Sequence, residues 1–95
     1  MNKYEIMFIV RPDMEEAEIK KTADTMKKVL TDNNAKVLDE KVIGQRELAY
    51  EMKKMKTGYY FQYVVEASSD TIKEFNRVSG INENILRHLI IRAED

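Results

Sequence analysis

Residues 3–10, Lys-Tyr-Glu-Ile-Met-Phe-Ile-Val, set the tightest limit on how this chain can fold. Tyr4, Ile6, Phe8 and Val10 share one face at the two-residue period of a strand, with Glu5, Met7 and Ile9 on the other. A strand that is apolar on one face needs one covering layer. This one is largely apolar on both, so it is expected in the middle of a sheet, covered on each side. Arg11-Pro12 ends it, because proline has no N–H to give to a ladder.

The rest of the chain alternates between helical and strand periods. Asp13 reads as an N-cap and Glu16 as the partner in a capping-box-like start, so a helix is expected over residues 14–31. Ile19, Ala23, Met26, Val29 and Leu30 form its apolar stripe, while Lys20, Lys21, Asp24, Lys27 and Lys28 face water. Glu15, Glu16 and Glu18 sit at the end where the helix dipole favours negative charge. After the turn Asp32-Asn33-Asn34, a long second strand is expected over 35–50. Its alternation slips near Leu38-Asp39-Glu40 and again near Ile43-Gly44, which predicts a bend or bulge at each.

A loop over 51–57 leads to a third strand over 58–66. There Tyr59, Phe61, Tyr63 and Val65 point to the core, leaving Tyr60, Gln62, Val64 and Glu66 on the other face. Ser68-Ser69-Asp70 caps a shorter helix through Ser79, with Ile72, Phe75 and Val78 buried and Gly80 as C-terminal cap. Asn82-Glu83-Asn84 turns into a last strand over 85–92, and Ala93-Glu94-Asp95 forms a short tail. The order β-α-β-β-α-β, with right-handed crossovers, gives the α+β ferredoxin-like plan. That plan is a four-stranded antiparallel sheet with both helices on one face and the first and third strands central. Residues 1–95 are expected to form one such domain.

Composition and motifs argue against catalysis. The chain has no cysteine, so disulfides and cysteine-based zinc sites are excluded. His88 is the only histidine, and neither a triad nor metal-ligand spacing surrounds it, so a structural or surface role is expected. With three glycines there is no glycine-rich phosphate loop, and an acylphosphatase-like reading of Arg11-Pro12-Asp13-Met14 fails for that reason. The six methionines are dispersed, as gap fillers are. No apolar run nears the roughly 18–20 residues that span a membrane, and Met1-Asn2-Lys3-Tyr4-Glu5 does not read as a signal peptide. No metal, cofactor, membrane or small-molecule ligand is expected.

Binding remains. Acidic residues number 17 and basic residues 16, for a net charge of −1, so any contact with nucleic acid must use a local basic patch or a more basic partner. Lys53, Lys54 and Lys56 crowd one loop, Arg46 lies in the second strand, Arg87 and Arg92 in the last, and Lys3 at the start of the first. Sharing a side of the sheet, these cations would neutralise phosphates without reading sequence. The plainer reading is a solvated lysine-rich hairpin that keeps a sheet edge soluble. Base stacking in the manner of an RNA-recognition motif is not expected, because Tyr60 alone of the third-strand aromatics falls on the uncovered face.

Gly44-Gln45-Arg46-Glu47-Leu48-Ala49-Tyr50-Glu51-Met52-Lys53-Lys54 resembles the signature of the bacterial small-subunit ribosomal protein S6 family. Tyr4-Glu5, Arg11-Pro12, Gly58-Tyr59-Tyr60 and Asn84-Ile85-Leu86-Arg87-His88-Leu89 extend the resemblance over nearly the whole chain. Glu51 stands where some relatives have proline, and Ile43 where others have tryptophan. The resemblance implies a cytoplasmic, ribosome-bound, non-enzymatic protein that binds the central domain of 16S ribosomal RNA together with ribosomal protein S18. The competing class is a sensing or interaction domain that dimerises through its sheet, using Met7, Ile9, Tyr60 and Val64. Within the signature, Leu48 is expected to pack in the core, where truncation to alanine would cost roughly 2–4 kcal/mol in a denaturant melt.

Overall fold

The computed structural model describes residues 2–93; Met1 and the tail residues Glu94 and Asp95 lie outside them. The elements run β1 (Asn2–Val10), α1 (Glu16–Asp32), β2 (Lys36–Met52), β3 (Met55–Ala67), α2 (Ser69–Ile81) and β4 (Ile85–Arg92). The sheet order is β2-β3-β1-β4 and every pairing is antiparallel, so the expected ferredoxin-like arrangement holds. β1 sits between β3 and β4, as its two-sided apolar pattern requires.

Phe8 is the centre of the helix-side core. Its ring stacks on Phe61 with centroids 5.3 Å apart, meets Tyr63 edge-on at 5.4 Å and touches Phe75 of α2 at 6.3 Å. Ile6, Val10, Met26, Leu30 and Val65 complete the most deeply buried set. Burying such side chains is worth roughly 1.5–3 kcal/mol each, and together they fix both helices on one face of the sheet. Polar bonds then set the register between layers. The Thr71 hydroxyl donates to the Asn33 carbonyl at 2.7 Å, and the Arg11 amide donates to the Asn84 carbonyl at 2.9 Å.

Several local expectations are corrected. α1 begins at Glu16, two residues after the expected start, because the Asp13 carboxylate is taken by Arg11, with Nε and Nη2 at 2.8 and 2.9 Å. That bond holds the Asp13 carboxyl below its usual range and removes it as a cap; Glu15 takes the N-cap position without a side-chain bond. Val29 is only half-buried, and Thr22 joins the buried stripe instead, its hydroxyl satisfied by the Glu18 carbonyl at 2.9 Å. Gly80 lies inside α2, and Asn82 is the C-cap. Ser68 caps α2 as expected, accepting from the Thr71 amide.

β2 shifts register between Val37 and Asp39 and between Val42 and Gly44, where the broken alternation places bends. The expected seven-residue loop is absent. β2 continues to Met52, β3 starts at Met55, and Lys53-Lys54 form a two-residue turn with φ of 47° and 66°. Left-handed backbone at both central positions is what a type I′ hairpin turn needs, even though lysine gains nothing from it.

Leu48 is half-buried and lies outside the core cluster. It packs on the opposite face of the sheet, beside Gly58. A Cβ on Gly58 would collide with Ile9 Cγ2 and stand 3.2 Å from Leu48 Cδ2. The expected cost of Leu48→Ala therefore drops to about 1 kcal/mol, half the value of a fully buried leucine. Gly58→Ala is expected to destabilise by about 1–3 kcal/mol through overpacking. Gly80→Ala, with nothing within 4 Å of the new methyl, should be neutral or stabilising by up to about 1 kcal/mol. Urea melts of the two variants check both signs.

Candidate nucleic-acid interface

The face of the sheet away from the helices carries Glu5, Met7 and Ile9 of β1, Tyr60, Gln62 and Val64 of β3, and Arg87, Leu89 and Ile91 of β4, in register with one another. Without a second layer, an apolar residue here would be solvated. Ile9 is nonetheless only 5% exposed. Its cover is the tip of the β2–β3 hairpin.

Two hydrogen bonds trace the path of that tip. Lys53 Nζ donates to the Ile85 carbonyl at 3.3 Å, and Arg87 Nη1 donates to the Tyr50 hydroxyl at 2.8 Å. β2 and β4 are opposite edges of the sheet, about 14 Å apart at the usual strand spacing. The end of β2 can reach β4 only by leaving the sheet plane and crossing over β3 and β1. Its sequence permits this. Gly44 adopts φ of 98° at the second bulge, register slips again between Glu47 and Met52, and the missing side chain at Gly58 makes room for Leu48 against Ile9. A cleft of about 210 Å³ remains beneath the tip, lined by Met7, Ile9, Met52, Tyr60 and Leu89 with Tyr50 and Arg87.

The seven sequence-selected cations divide into two sets. Arg46, Lys53, Lys54, Lys56 and Arg87 gather at the end of the sheet where the hairpin crosses. Arg46 and the lysines are exposed, and Arg46 Nη1 donates to its neighbour's carbonyl, Gln45, at 2.9 Å. Lys3 and Arg92 lie at the other end. Arg92 is in register with Tyr4 and donates from Nη2 to Asn2 Oδ1 at 2.9 Å, whereas Lys3 is in register with Glu66. Arg87 and Arg92, five residues apart on one strand, are separated by about 17 Å. They also point to opposite faces, Arg87 in register with Ile9 on the open face and Arg92 in register with Tyr4 on the helix side, so the expectation that these cations share a side of the sheet fails for Arg92. Sequence reasoning gave no role to Tyr50, the residue that joins Arg87 to the hairpin, beyond its place in the Gly44–Lys54 signature.

Among the described residues no group of three or more acidic, histidine or cysteine side chains could hold a metal, and no helix is long and apolar enough to cross a membrane. The ion pairs among the described residues are Arg11–Asp13, Lys27–Glu40 and Arg77–Glu74, and none of them involves the seven cations above.

The Ribosomal protein S6 family profile matches residues 3–92. The chain belongs to the ribosomal protein S6 family. It is 44% identical over 94 residues to the small ribosomal subunit protein bS6 of Shouchella clausii, covering 99% of each chain. The crystal structure of the 30S ribosomal protein S6 of Thermotoga maritima superposes with a TM-score of 0.92 at 26% identity, covering 97% of this chain and 87% of that one. Membership in the S6 family makes the chain a small-subunit ribosomal protein of the bacterial cytoplasm.

In this S6-family chain His88 is structural, on the helix side of β4. Its Nδ1 lies 2.7 Å from the Ser79 hydroxyl, its Nε2 2.7 Å from Asn76 Oδ1, and its ring meets Phe75 edge-on. With Nε2–H donating to Asn76 and Nδ1 accepting from Ser79, the neutral ring is satisfied at both nitrogens. Burial lowers its pKa from the ordinary 6.5. The unfolded chain therefore binds the proton first. The stabilising contribution is complete above about pH 6.5 and is lost as pH falls through the depressed folded value. Stability measured from pH 7.5 to 5 should decline in the wild type, and His88→Gln should flatten that decline.

Proposed function

We propose that this chain binds the central domain of 16S ribosomal RNA together with ribosomal protein S18, as a structural and not a catalytic part of the small subunit. Membership in the S6 family supports the assignment to the ribosome. The observation that carries the RNA contact is the gathering of Arg46, Lys53, Lys54, Lys56 and Arg87 at one end of the sheet, where the hairpin folds over. Lysine and arginine side chains of this kind engage phosphates and release counterions, and they position RNA without reading its bases. Lys3 and Arg92 lie at the far end on opposite faces of the sheet, and only Lys3 shares the open face with Arg87.

The charge balance supports a shared task. A chain of net charge −1 has no general attraction for RNA, so much of the phosphate attraction comes from a more basic partner. The uncovered part of the open face is where that partner fits. Beyond the hairpin, Leu89 and Ile91 are 42% and 51% exposed, with Met7 and Val64 beside them half-buried. Contiguous apolar side chains on a soluble surface are the usual mark of a protein contact. The same patch is what a sheet-dimerising domain would use, and the S6 family membership favours the ribosomal partner over a second copy.

Two measurements test the reading. With S18 present, Arg87→Ala is expected to weaken binding to 16S central-domain RNA about tenfold and to lower the salt slope by about 1. Arg92→Ala should do the same more weakly, and unchanged slopes for both would remove these positions from the interface. Ile91→Glu should fold normally yet fail to co-migrate with S18 in gel filtration; a normal heterodimer would move the partner off this face.

A further inference from the structure

Tyr50 is the part of the Leu48-Ala49-Tyr50 run whose exposure the fold does not require. It is 59% exposed, so its ring adds little to the core. Its hydroxyl oxygen accepts from Arg87 Nη1 at 2.8 Å, a bond between residues 37 positions apart and on opposite edge strands. Side-chain entropy opposes holding a long arginine in one place on a surface, and this bond opposes that entropy at the position proposed above to meet phosphate.

The chemistry left over suits an oxyanion. A guanidinium carries five N–H donors, and Tyr50 takes one. Among the described residues no carboxylate pairs with Arg87. Its Nε and Nη2 donors remain for the two parallel bonds by which arginine grips phosphate. The Tyr50 oxygen, having accepted from Arg87, keeps its own O–H to donate. Lys53 stands close by, anchored through Nζ to the carbonyl of Ile85, two residues before Arg87, with two further N–H donors. Three donor groups, from β2, the hairpin turn and β4, thus converge where the hairpin crosses, and among the described residues none of them is paired with an acid.

We propose that Tyr50 and Arg87 form one phosphate-binding dyad for the RNA backbone, in which Tyr50 fixes the guanidinium and adds its own O–H to a phosphodiester oxygen. This rests on the reading that Arg87 meets RNA. Tyr50 is the positioning residue of the pair, and its hydroxyl, not its ring, does the positioning.

The test is a double-mutant cycle on the full chain with S18, titrated with 16S central-domain RNA at several salt concentrations. Tyr50→Phe should keep the wild-type melting temperature and weaken RNA binding about fivefold, within the range for a hydrogen bond to a charged group. Arg87→Ala should weaken it about tenfold, and the double variant should lose less than the product of the two single losses, because only the direct Tyr50 O–H contact remains to be removed once Arg87 is gone. Wild-type affinity in Tyr50→Phe overturns the dyad, and so does a Tyr50→Phe loss that persists in full without Arg87. A Tyr50→Ala loss that Tyr50→Phe does not share would assign the effect to ring stacking and overturn it as well. If Arg87→Ala binds normally, the Arg87 contact itself fails and the dyad with it; if only Tyr50→Phe binds normally, the dyad fails and the Arg87 contact stands.

Discussion

Phe8 and Ile9 are neighbours in the central strand, point to opposite faces of the sheet and are both buried. Everything else in the molecule is arranged to make that possible. Phe8 is covered conventionally, by two helices whose apolar stripes converge on its ring. Ile9 has no helix on its side. It is covered because β2 is long enough, and bent enough, for its end to fold across the sheet. A four-stranded sheet with helices on one face normally leaves the other to solvent or to a partner. Here the chain covers part of that face itself and leaves Leu89 and Ile91 partly exposed.

The same fold-over organises the cations. Spread along a flat sheet, residues of β2 and β4 would be on opposite edges and could share no phosphate. With the hairpin crossed, Tyr50 and Lys53 stand beside β4, and Arg87 becomes part of a group with them. Glycine at 58 is the enabling position, since no other residue leaves room for Ile9 and Leu48 to approach each other over the strand. The basic surface is therefore a product of packing beneath it. A near-neutral chain acquires a locally cationic corner without a globally basic composition.

The parts of the fold that could be read from residue order were those governed by local periodicity. The two-sided pattern of residues 4–10 placed β1 in the centre, and the slips at Leu38 and Gly44 marked the β2 bulges. Ser68 signalled the start of α2. Asp13 and Gly80 misled for a physical reason: a capping residue is identified by type, but its side chain or backbone can be claimed by a neighbour, as Arg11 claims Asp13. Residues 51–57 looked like a loop because three lysines among four neighbouring positions favour exposed, irregular chain, yet cross-strand pairing drew all but two of the seven into the hairpin strands. Leu48 was rightly marked as a packing residue but assigned to the wrong layer.

By itself the sequence determined the element order, the central strand, the exclusion of cysteine chemistry and, through the signature around Gly44 to Lys54, the family. These follow from composition and from spacing along the chain, which are properties of neighbours. Only the tertiary structure decided that Arg87 keeps company with Tyr50 and Lys53 while Arg92 lies at the far end. That division depends on a bend near Gly44 and a crossing over Gly58, contacts between residues far apart in sequence. A list of cations carries no record of which strand end will be folded over another.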